Sequence, residues 1–236
     1  MAEKKKQNEK QGARQGGKPG LDKAHVADTA LDLLNDVGLE GLTLRAIAKQ
    51  LNVQAPALYW HFKNKQALLD EMATVMFRRM AEAAPDLRYE PGRAATPPAW
   101  QDHLIDSNRH LRRTLLRYRD GAKVFSGSRF TGTDHGPEME ASLRLLVDAG
   151  FTAERAAWAG STAYMFTLGF VTEEQGMRPV GNSAEPVVDL GERAEKLVDY
   201  PLAAAAGHQL FAAYDERFEE GLRIVVAGIE ARYGVR

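Results

Sequence analysis

Residues 43–62 read TLRAIAKQLNVQAPALYWHF, and this stretch decides the fold. Thr43 directly precedes an apolar-periodic segment and has a side chain suited to cap a helix N-terminus. Asn52 and Val53 predict a tight break. A second short helix follows, with Pro56 in its first turn, where a missing N–H costs little. Two short helices around a tight turn predict a helix-turn-helix, whose second helix lies in the major groove of DNA.

Small and apolar side chains predict how the two helices lock together. Ala48 falls where the helices cross closely and a small residue is needed. The apolar seam between them is expected to consist of Ile47, Leu51, Val53 and Leu58.

The outward residues of the second helix end in a run of aromatic side chains. Tyr59, Trp60 and His61 combine apolar rings with polar tips, which suits rings along the DNA backbone with tips bonded to phosphate. Alternatively, Tyr59 and Trp60 belong to the core of a small bundle. A helix of under two turns cannot bury both together with Leu58 and Phe62, so the DNA-contact interpretation is favoured.

Helical periodicity continues through the rest of the chain. Asp22 and Gly38 are the expected cap and stop of a first helix, and another helix is expected from Lys65 to about Ala84. Further helical runs are predicted near 99–119, 121–127, 137–149, 153–177 and 207–232, with loops near 85–98 and 178–191. No alternating strand pattern exceeds four residues, so we predict an all-α fold.

Composition narrows the class of protein. The 236 residues carry a net charge of −1 and no cysteine, which excludes a disulfide framework, a thiolate metal site and a cysteine nucleophile. The N-terminus is charged without an apolar core, so it does not read as a secretory signal. The uncharged stretch 156–172 is shorter than the roughly 20 residues of a spanning helix. We therefore predict a cytoplasmic protein without a membrane segment.

Residues 1–20 form a basic arm with six basic and two acidic side chains and no apolar periodicity. We expect the arm to be disordered. A basic end suits a polyanion partner, but a lysine-rich tail is also common as a solubilising end, and both interpretations stay open.

The sequence shows no enzyme motif: no GxSxG, no phosphate-binding loop, no dinucleotide fingerprint and no cluster of metal ligands. His103 and His110 share a helical face but are two turns, about 10 Å, apart, too far for one ion. They are expected to be solvated surface histidines.

The stretch LTLRAIAKQLNVQAPALYWHFKNKQALLDEM at 42–72 resembles the DNA-binding domain of the TetR family of transcriptional regulators, and within it the tetracycline repressors. Segments at 111–129 (LRRTLLRYRDGAKVFSGSR), 143–151 (LRLLVDAGF) and 166–175 (FTLGFVTEEQ) resemble them too. The likeness covers roughly residues 22–177. It implies the basic arm at 1–20, a three-helix DNA-binding domain at 21–66 and a helical effector-binding and dimerisation domain at 67–236.

The resemblance implies a set of DNA-facing residues in and around the helix-turn-helix: Arg45, Gln54, Ala55, Pro56, Ala57, Tyr59, Trp60, His61 and Lys65. Ala55 and Ala57 stand where tetracycline repressors carry a carboxamide and a hydroxyl. Alanine can touch a thymine methyl but cannot bond adenine in a bidentate manner. We therefore expect a palindrome different from the tetracycline operator.

The resemblance also implies an effector pocket lined by Tyr89, Ser107, Leu111, Phe125, Ser128, Arg129, Phe130, Met139, Ser142, Leu143, Gly160, Tyr164 and Glu173. An apolar lining with a few polar groups describes a plain core equally well. Phe125 replaces the metal-binding imidazole of the tetracycline repressors, Ser107 a carboxamide and Leu111 a stacking aromatic. Ser128 and Glu173 remain as candidate oxygen ligands or outer groups, but magnesium needs more than the one carboxylate that they offer. We expect a polycyclic aromatic effector bound without metal, and no cofactor.

The family likeness further implies a homodimer that represses an efflux or resistance gene. Helices 153–172 and 207–232 would form the dimer surface, with Gly160, Ser161, Ala163 and Gly169 allowing close approach. Residues 119–121 and the helix after them would transmit the effector signal. The alternatives left open are a ligand-independent DNA-binding protein and an activator of the same fold.

Overall fold

The structure is a computed structural model that describes residues 22–92, 98–178 and 188–235. Over these residues the chain is helical, without strands, and the predicted all-α class is confirmed. The helices are α1 (Lys23–Gly41), α2 (Leu44–Gln50), α3 (Ala55–Tyr59), α4 (Lys65–Ala83), α5 (Trp100–Leu115), α6 (Gly121–Phe125), α7 (Gly136–Asp148), α8 (Ala153–Gly176), α9 (Leu190–Lys196), α10 (Pro201–Ala205), α11 (Gly207–Phe211) and α12 (Tyr214–Tyr233). A 3-10 turn, Pro85–Leu87, follows α4. We call α1–α3 the head and α5–α12 the body.

Local side-chain caps begin the helices of the head, as the sequence predicts. The Asp22 carboxylate accepts a hydrogen bond from the His25 N–H at 2.7 Å, and the Thr43 hydroxyl accepts one from the Ala46 N–H at 3.1 Å. Each bond satisfies one of the N–H groups that the first helical turn leaves unpaired.

The regular helix breaks at Gly38, where the sequence predicts its end. Gly38 has a non-helical φ of 69° and ψ of 175°, and α1 resumes beyond this kink and ends at Gly41. A Cβ atom at position 38 would also lie 3.0 Å from Arg119 Nε. Glycine therefore permits both the kink and the close approach of the body to the end of α1.

The predicted break between α2 and α3 is confirmed at Asn52, whose φ is 53°. Asparagine tolerates this left-handed conformation better than most residues. The Val53 N–H closes the turn by donating to the Ala48 carbonyl at 2.9 Å. Ile47 and Leu58 are fully buried in the seam between the helices.

Other element boundaries differ from the sequence expectation. The run predicted over 207–232 is two helices, because Ala213 adopts a left-handed φ of 50° between α11 and α12. The loop predicted to 191 ends earlier, since Asp189 caps α9 by accepting from the Gly191 and Glu192 N–H groups. The basic arm 1–20, part of the predicted linker (93–97) and part of the predicted loop (179–187) lie outside the described residues.

Helix α4 connects the head to the body. It packs against α1 along most of its length, from Lys65, which bonds Leu39, to Arg79, which bonds Asp28. It also packs against α5 and α6, and one continuous hydrophobic core joins these elements. The predicted domain boundary at residue 66 lies within its first turn. The helix runs on without a break, so the two predicted domains share this element.

The centre of the body is α8, which contacts α5, α6, α7 and α12. Trp100 and Phe151 meet edge to face in the core at one end, with ring centroids 5.0 Å apart. At the other end α12 comes so close that a Cβ atom on Gly221 would lie 2.6 Å from Phe166 Cζ. Any larger residue at position 221 would therefore force the Phe166 ring to shift.

A buried ion pair joins three helices of the body. The Arg112 guanidinium bonds the Glu174 carboxylate through Nε at 2.9 Å and Nη2 at 3.0 Å, and also bonds Asp215 at 2.7 Å. Its plane lies 4.9 Å from the Phe218 ring centroid. Burial lowers the pKa of Arg112, but its bonds to Glu174 and Asp215 outweigh that effect and leave the pKa raised. Arg112 therefore ties α5 to α8 and α12 as a permanent cation.

Replacing Arg112 with methionine should destabilise the protein by roughly 3 kcal/mol, because Glu174 would stay buried without its main partner. Urea unfolding measures this loss. The matched control is Lys196→Met, which breaks the exposed Lys196–Glu192 pair and should cost under about 1 kcal/mol. Equal stability of the two variants would contradict the role assigned to Arg112.

Candidate DNA-binding surface and effector cavity

The predicted DNA-facing residues form one surface around α3. Trp60 is 90% exposed and Tyr59 56% exposed. Arg45, Gln54 and Pro56 are exposed as well. Ala55, Ala57 and His61 are half-buried beside them. A large indole left almost entirely in solvent gains no burial energy in the folded chain, so this surface is suited to a partner.

Two of the predicted DNA-facing residues lie at the starts of helices. Gln54 is the N-cap residue of α3, yet its carboxamide makes no capping bond. The Lys65 ammonium donates to the Leu39 carbonyl at 2.7 Å and ties the start of α4 to the end of α1. An ammonium has three donors, so this bond leaves capacity for a phosphate.

The body contains a cavity of about 580 Å³. Its walls come from the end of α4, from α5, α7 and α8, and from Phe125 of α6. Nine of the thirteen predicted effector residues line it: Ser107, Leu111, Phe125, Phe130, Met139, Ser142, Leu143, Gly160 and Tyr164. The structure thus brings most of the predicted set together around one space.

Four predicted effector residues lie outside this lining. Tyr89 lines a neighbouring cavity and donates its hydroxyl to Asp148 at 3.0 Å. The Ser128 hydroxyl donates back to the Val124 carbonyl of α6 at 2.6 Å. Arg129 and Glu173 are exposed on the surface.

One side of the cavity is aromatic. The Phe130 ring centroid lies 5.0 Å from that of Phe77 and 5.4 Å from that of Phe125, which in turn lies 6.5 Å from Tyr164. Burial raises the pKa of the Tyr164 phenol, so this group stays protonated. A flat aromatic ligand would find stacking and edge-on partners here.

The sequence analysis missed several polar residues of the lining. His103 is buried, not solvated, and its Nε2 lies 3.1 Å from the Ser142 hydroxyl. Burial lowers the pKa of His103. His110 is half-buried and its Nε2–H donates to the Met80 carbonyl at 2.8 Å, so the expectation of two surface histidines is wrong. Asn108, His135, Glu138 and Ser161 complete the polar lining.

One predicted difference from the tetracycline repressors lies in the cavity wall. Phe125 lines the cavity at the position where the resemblance implies a metal-binding imidazole in those repressors, and its ring has no lone pair for a cation. Across the described residues, no three histidines or carboxylates come close enough together to hold a metal ion. The Phe125 ring itself therefore supplies no ligand to a metal.

Comparison with known proteins places the chain in a family. Residues 26–72 match bacterial regulatory proteins of the tetR family, and residues 94–233 match the tetracyclin repressor-like C-terminal domain. The chain belongs to the TetR family. It is 41% identical over 211 residues to the class A tetracycline repressor protein from transposon 1721 of Escherichia coli, covering 88% of this chain and 89% of that protein.

Two solved structures are similar along most of this TetR-family chain. A possible TetR family regulator from Streptomyces coelicolor A3(2) is 36% identical, with a TM-score of 0.74 over 89% of this chain and 100% of the other. A TetR variant from Acinetobacter baumannii AYE in complex with minocycline is 32% identical, with a TM-score of 0.64 over 90% and 98%. The protein is thus a DNA-binding transcriptional regulator and not an enzyme. No helix among the described residues has the length and apolar character to cross a membrane.

In this TetR-family protein, Asp120 fastens the body to the head. Its carboxylate accepts the Leu39 N–H at 3.0 Å and pairs with the Lys123 ammonium at 2.9 Å. Burial alone would raise the pKa of Asp120, but these two partners outweigh burial and hold the pKa below its usual value. The neighbouring Arg119 N–H donates to the Asn35 side chain at 2.8 Å.

Because the folded-state pKa of Asp120 is depressed, its contribution to stability is present above the unfolded pKa of about 3.9 and is lost as pH falls through the folded value. Asp120→Asn should therefore lower the free energy of unfolding by about 1 kcal/mol at pH 7. The difference from wild type should shrink between about pH 5 and pH 3. Urea unfolding across this range tests it. The exposed Glu40→Gln is the control, and a pH-independent difference for Asp120→Asn would contradict the assignment.

Proposed function

We propose that this protein is a ligand-responsive repressor. As a dimer it binds a palindromic operator, and a polycyclic aromatic effector bound without metal releases it. The observation that carries the proposal is the 580 Å³ cavity, whose wall includes Phe77, Met80 and Ala81 of α4 and the following Ala84. The same helix packs against α1 of the head.

The DNA-facing set supports operator binding. Exposed aromatic and polar side chains at α3 suit phosphate and base contacts in a major groove. Ala55 and Ala57 offer methyl groups only, so the operator should differ from the tetracycline operator at the bases they face. Operator binding places the protein in the cytoplasm with the chromosome.

The effector class follows from the lining. Phe125, Phe130 and Tyr164 favour stacking, and the likeness to a minocycline-bound TetR variant supports a small-molecule site in this chain. With Phe125 in the cavity, an effector would bind through its rings and hydrogen bonds. An antibiotic or aromatic polyketide fits this description, and control of an efflux or resistance gene would follow.

An outer face of α8 and α12 supports the dimer. Trp158 and Met165 of α8 and Ile224 of α12 are more than half exposed, and the two helices pack side by side. Of the small residues expected at this face, Gly169 is exposed. Ala163 instead packs inside the body against α12, and Gly160 lines the cavity. The proposed dimer would bury Trp158, Met165 and Ile224 and hold two heads about 34–36 Å apart.

An effector can release the protein from DNA only if it binds more tightly when α4 is in the position that does not fit the operator than when α4 is in the DNA-binding position. His110 bonds the Met80 carbonyl within the cavity wall, so a ligand there contacts both α5 and α4. A shift at the end of α4 would change the spacing of the two heads. Asp120 and Arg119, which hold the end of α1, would carry part of the same change.

Trp60→Ala should weaken operator binding at least tenfold, about 1.4 kcal/mol, because the indole is exposed in the free protein and available to DNA. Its free energy of unfolding should stay within about 0.5 kcal/mol of wild type. A gel-shift titration and urea unfolding measure the two quantities. Leu58→Ala is the contrast: this buried side chain should cost about 2–5 kcal/mol of stability. Unchanged DNA affinity for Trp60→Ala would refute the proposed contact.

The metal-free effector is tested by footprinting the DNA upstream of the protein's own gene, then adding aromatic polyketides with and without EDTA. A protected palindrome should be lost on adding one compound at the same concentration in both conditions, because no metal takes part. Release abolished by EDTA would refute the metal-free pocket. A site that no compound releases would favour the ligand-independent alternative.

A further inference from the structure

The charged side chains that line the cavity are not balanced between negative and positive. Among the described residues of its lining, Glu138 is the single charged side chain apart from the histidines, and no lysine or arginine is present. Burial lowers the pKa of His103, so this histidine stays neutral at physiological pH. The interior is thus an apolar, aromatic space with one carboxylate.

The Glu138 carboxylate can accept hydrogen bonds from a ligand. Among the described residues it pairs with Arg88, whose Nε lies 3.8 Å from Oε1, beyond hydrogen-bonding distance. Both side chains are partly exposed, so this ion pair contributes little. A carboxylate accepts at both oxygens and could bind an ammonium group of a ligand.

The neighbouring cavity also contains carboxylates. It shares Leu87 and His103 with the main cavity, and its described lining includes the carboxylates of Asp102 and Asp106 and the guanidinium of Arg88. Arg109, which bonds Asp106, also bonds Glu219, so its charge is divided between two carboxylates. An excess of one sign of charge in a concave region raises the local concentration of the opposite ion.

We propose that the effector is a cationic aromatic amine, with its rings against Phe125, Phe130 and Tyr164 and its ammonium group paired with Glu138. This inference rests on the proposed effector pocket and narrows the class of its ligand. Aromatic faces attract cations in addition to stacking on rings, so the lining favours both parts of such a molecule. An anionic polycycle would find no lysine or arginine among the described residues of the lining and would face carboxylates at the neighbouring cavity.

Three tricyclic probes of nearly equal size separate charge from shape: 9-aminoacridine, which is a cation at neutral pH, 9-anthracenemethanol, which is neutral, and 9-anthracenecarboxylate, which is an anion. Equilibrium dialysis against the full-length protein at low salt gives their dissociation constants. We expect the cation to bind most tightly and the anion least. The preference for the cation should weaken as salt is added.

Matched variants test whether Glu138 causes the preference for the cationic probe. Glu138→Gln keeps the shape and removes the charge, and it should weaken binding of the cation about tenfold, equivalent to about 1.4 kcal/mol, without changing the neutral probe. Glu140→Gln makes the same charge change on the same helix, outside the cavity lining, and should leave all three dissociation constants unchanged. In Gly160→Phe, where a new side chain has room to extend into the cavity, all probes should lose binding.

The outcomes distinguish this inference from the proposed function. If the neutral probe binds in the cavity but the cation is not preferred, or if Glu138→Gln and Glu140→Gln behave alike, the inference is overturned and the pocket stands. Tighter binding of the anion overturns it too. If no probe binds the wild type, or if binding survives Gly160→Phe, the pocket proposal fails with it.

Discussion

Helix α4 belongs at once to the core of the head and to the wall of the cavity. Its first turn is held by the Asn64 cap and by the bond from Lys65 to the Leu39 carbonyl, while its last turns contact the cavity through Phe77 and Met80. A helix of 19 residues is about 28 Å long and bends little when its core face is packed. The position of the head therefore depends on how α4 is packed, and the head and the cavity wall share this one element.

The helices of the body must stay apart for the cavity between them to persist. The Arg112–Glu174 pair lies to one side of the cavity and fixes α5, α8 and α12 to one another. Nearby, the Thr167 hydroxyl donates to the Asn108 side chain at 2.7 Å, in a fully buried position between α5 and α8. These polar ties have strict geometry, unlike apolar packing, so they keep the helices apart at the spacing that an effector needs.

The head could be predicted closely because its signals are local. Thr43, Asn52 and Ala48 act within a few residues of their own position, through a cap, a turn and a close crossing. The burial of His103 could not be predicted in this way, since its partner Ser142 lies 39 residues away on another helix. The break at Ala213 carries no glycine or proline signal either. Family resemblance supplied nine of the lining residues, but it could not show that Ser128 bonds back to Val124 of α6.

The chain has three tryptophans, and each lies in a different region of the molecule. Trp60 is exposed on the head, Trp100 is buried in the body core, and Trp158 is half exposed on the outer face of α8. Indole fluorescence depends on the polarity around each ring, so the natural sequence already contains separate optical reporters for DNA contact, core integrity and subunit association. Versions of the protein that retain one tryptophan each would follow these three events in solution without any attached dye.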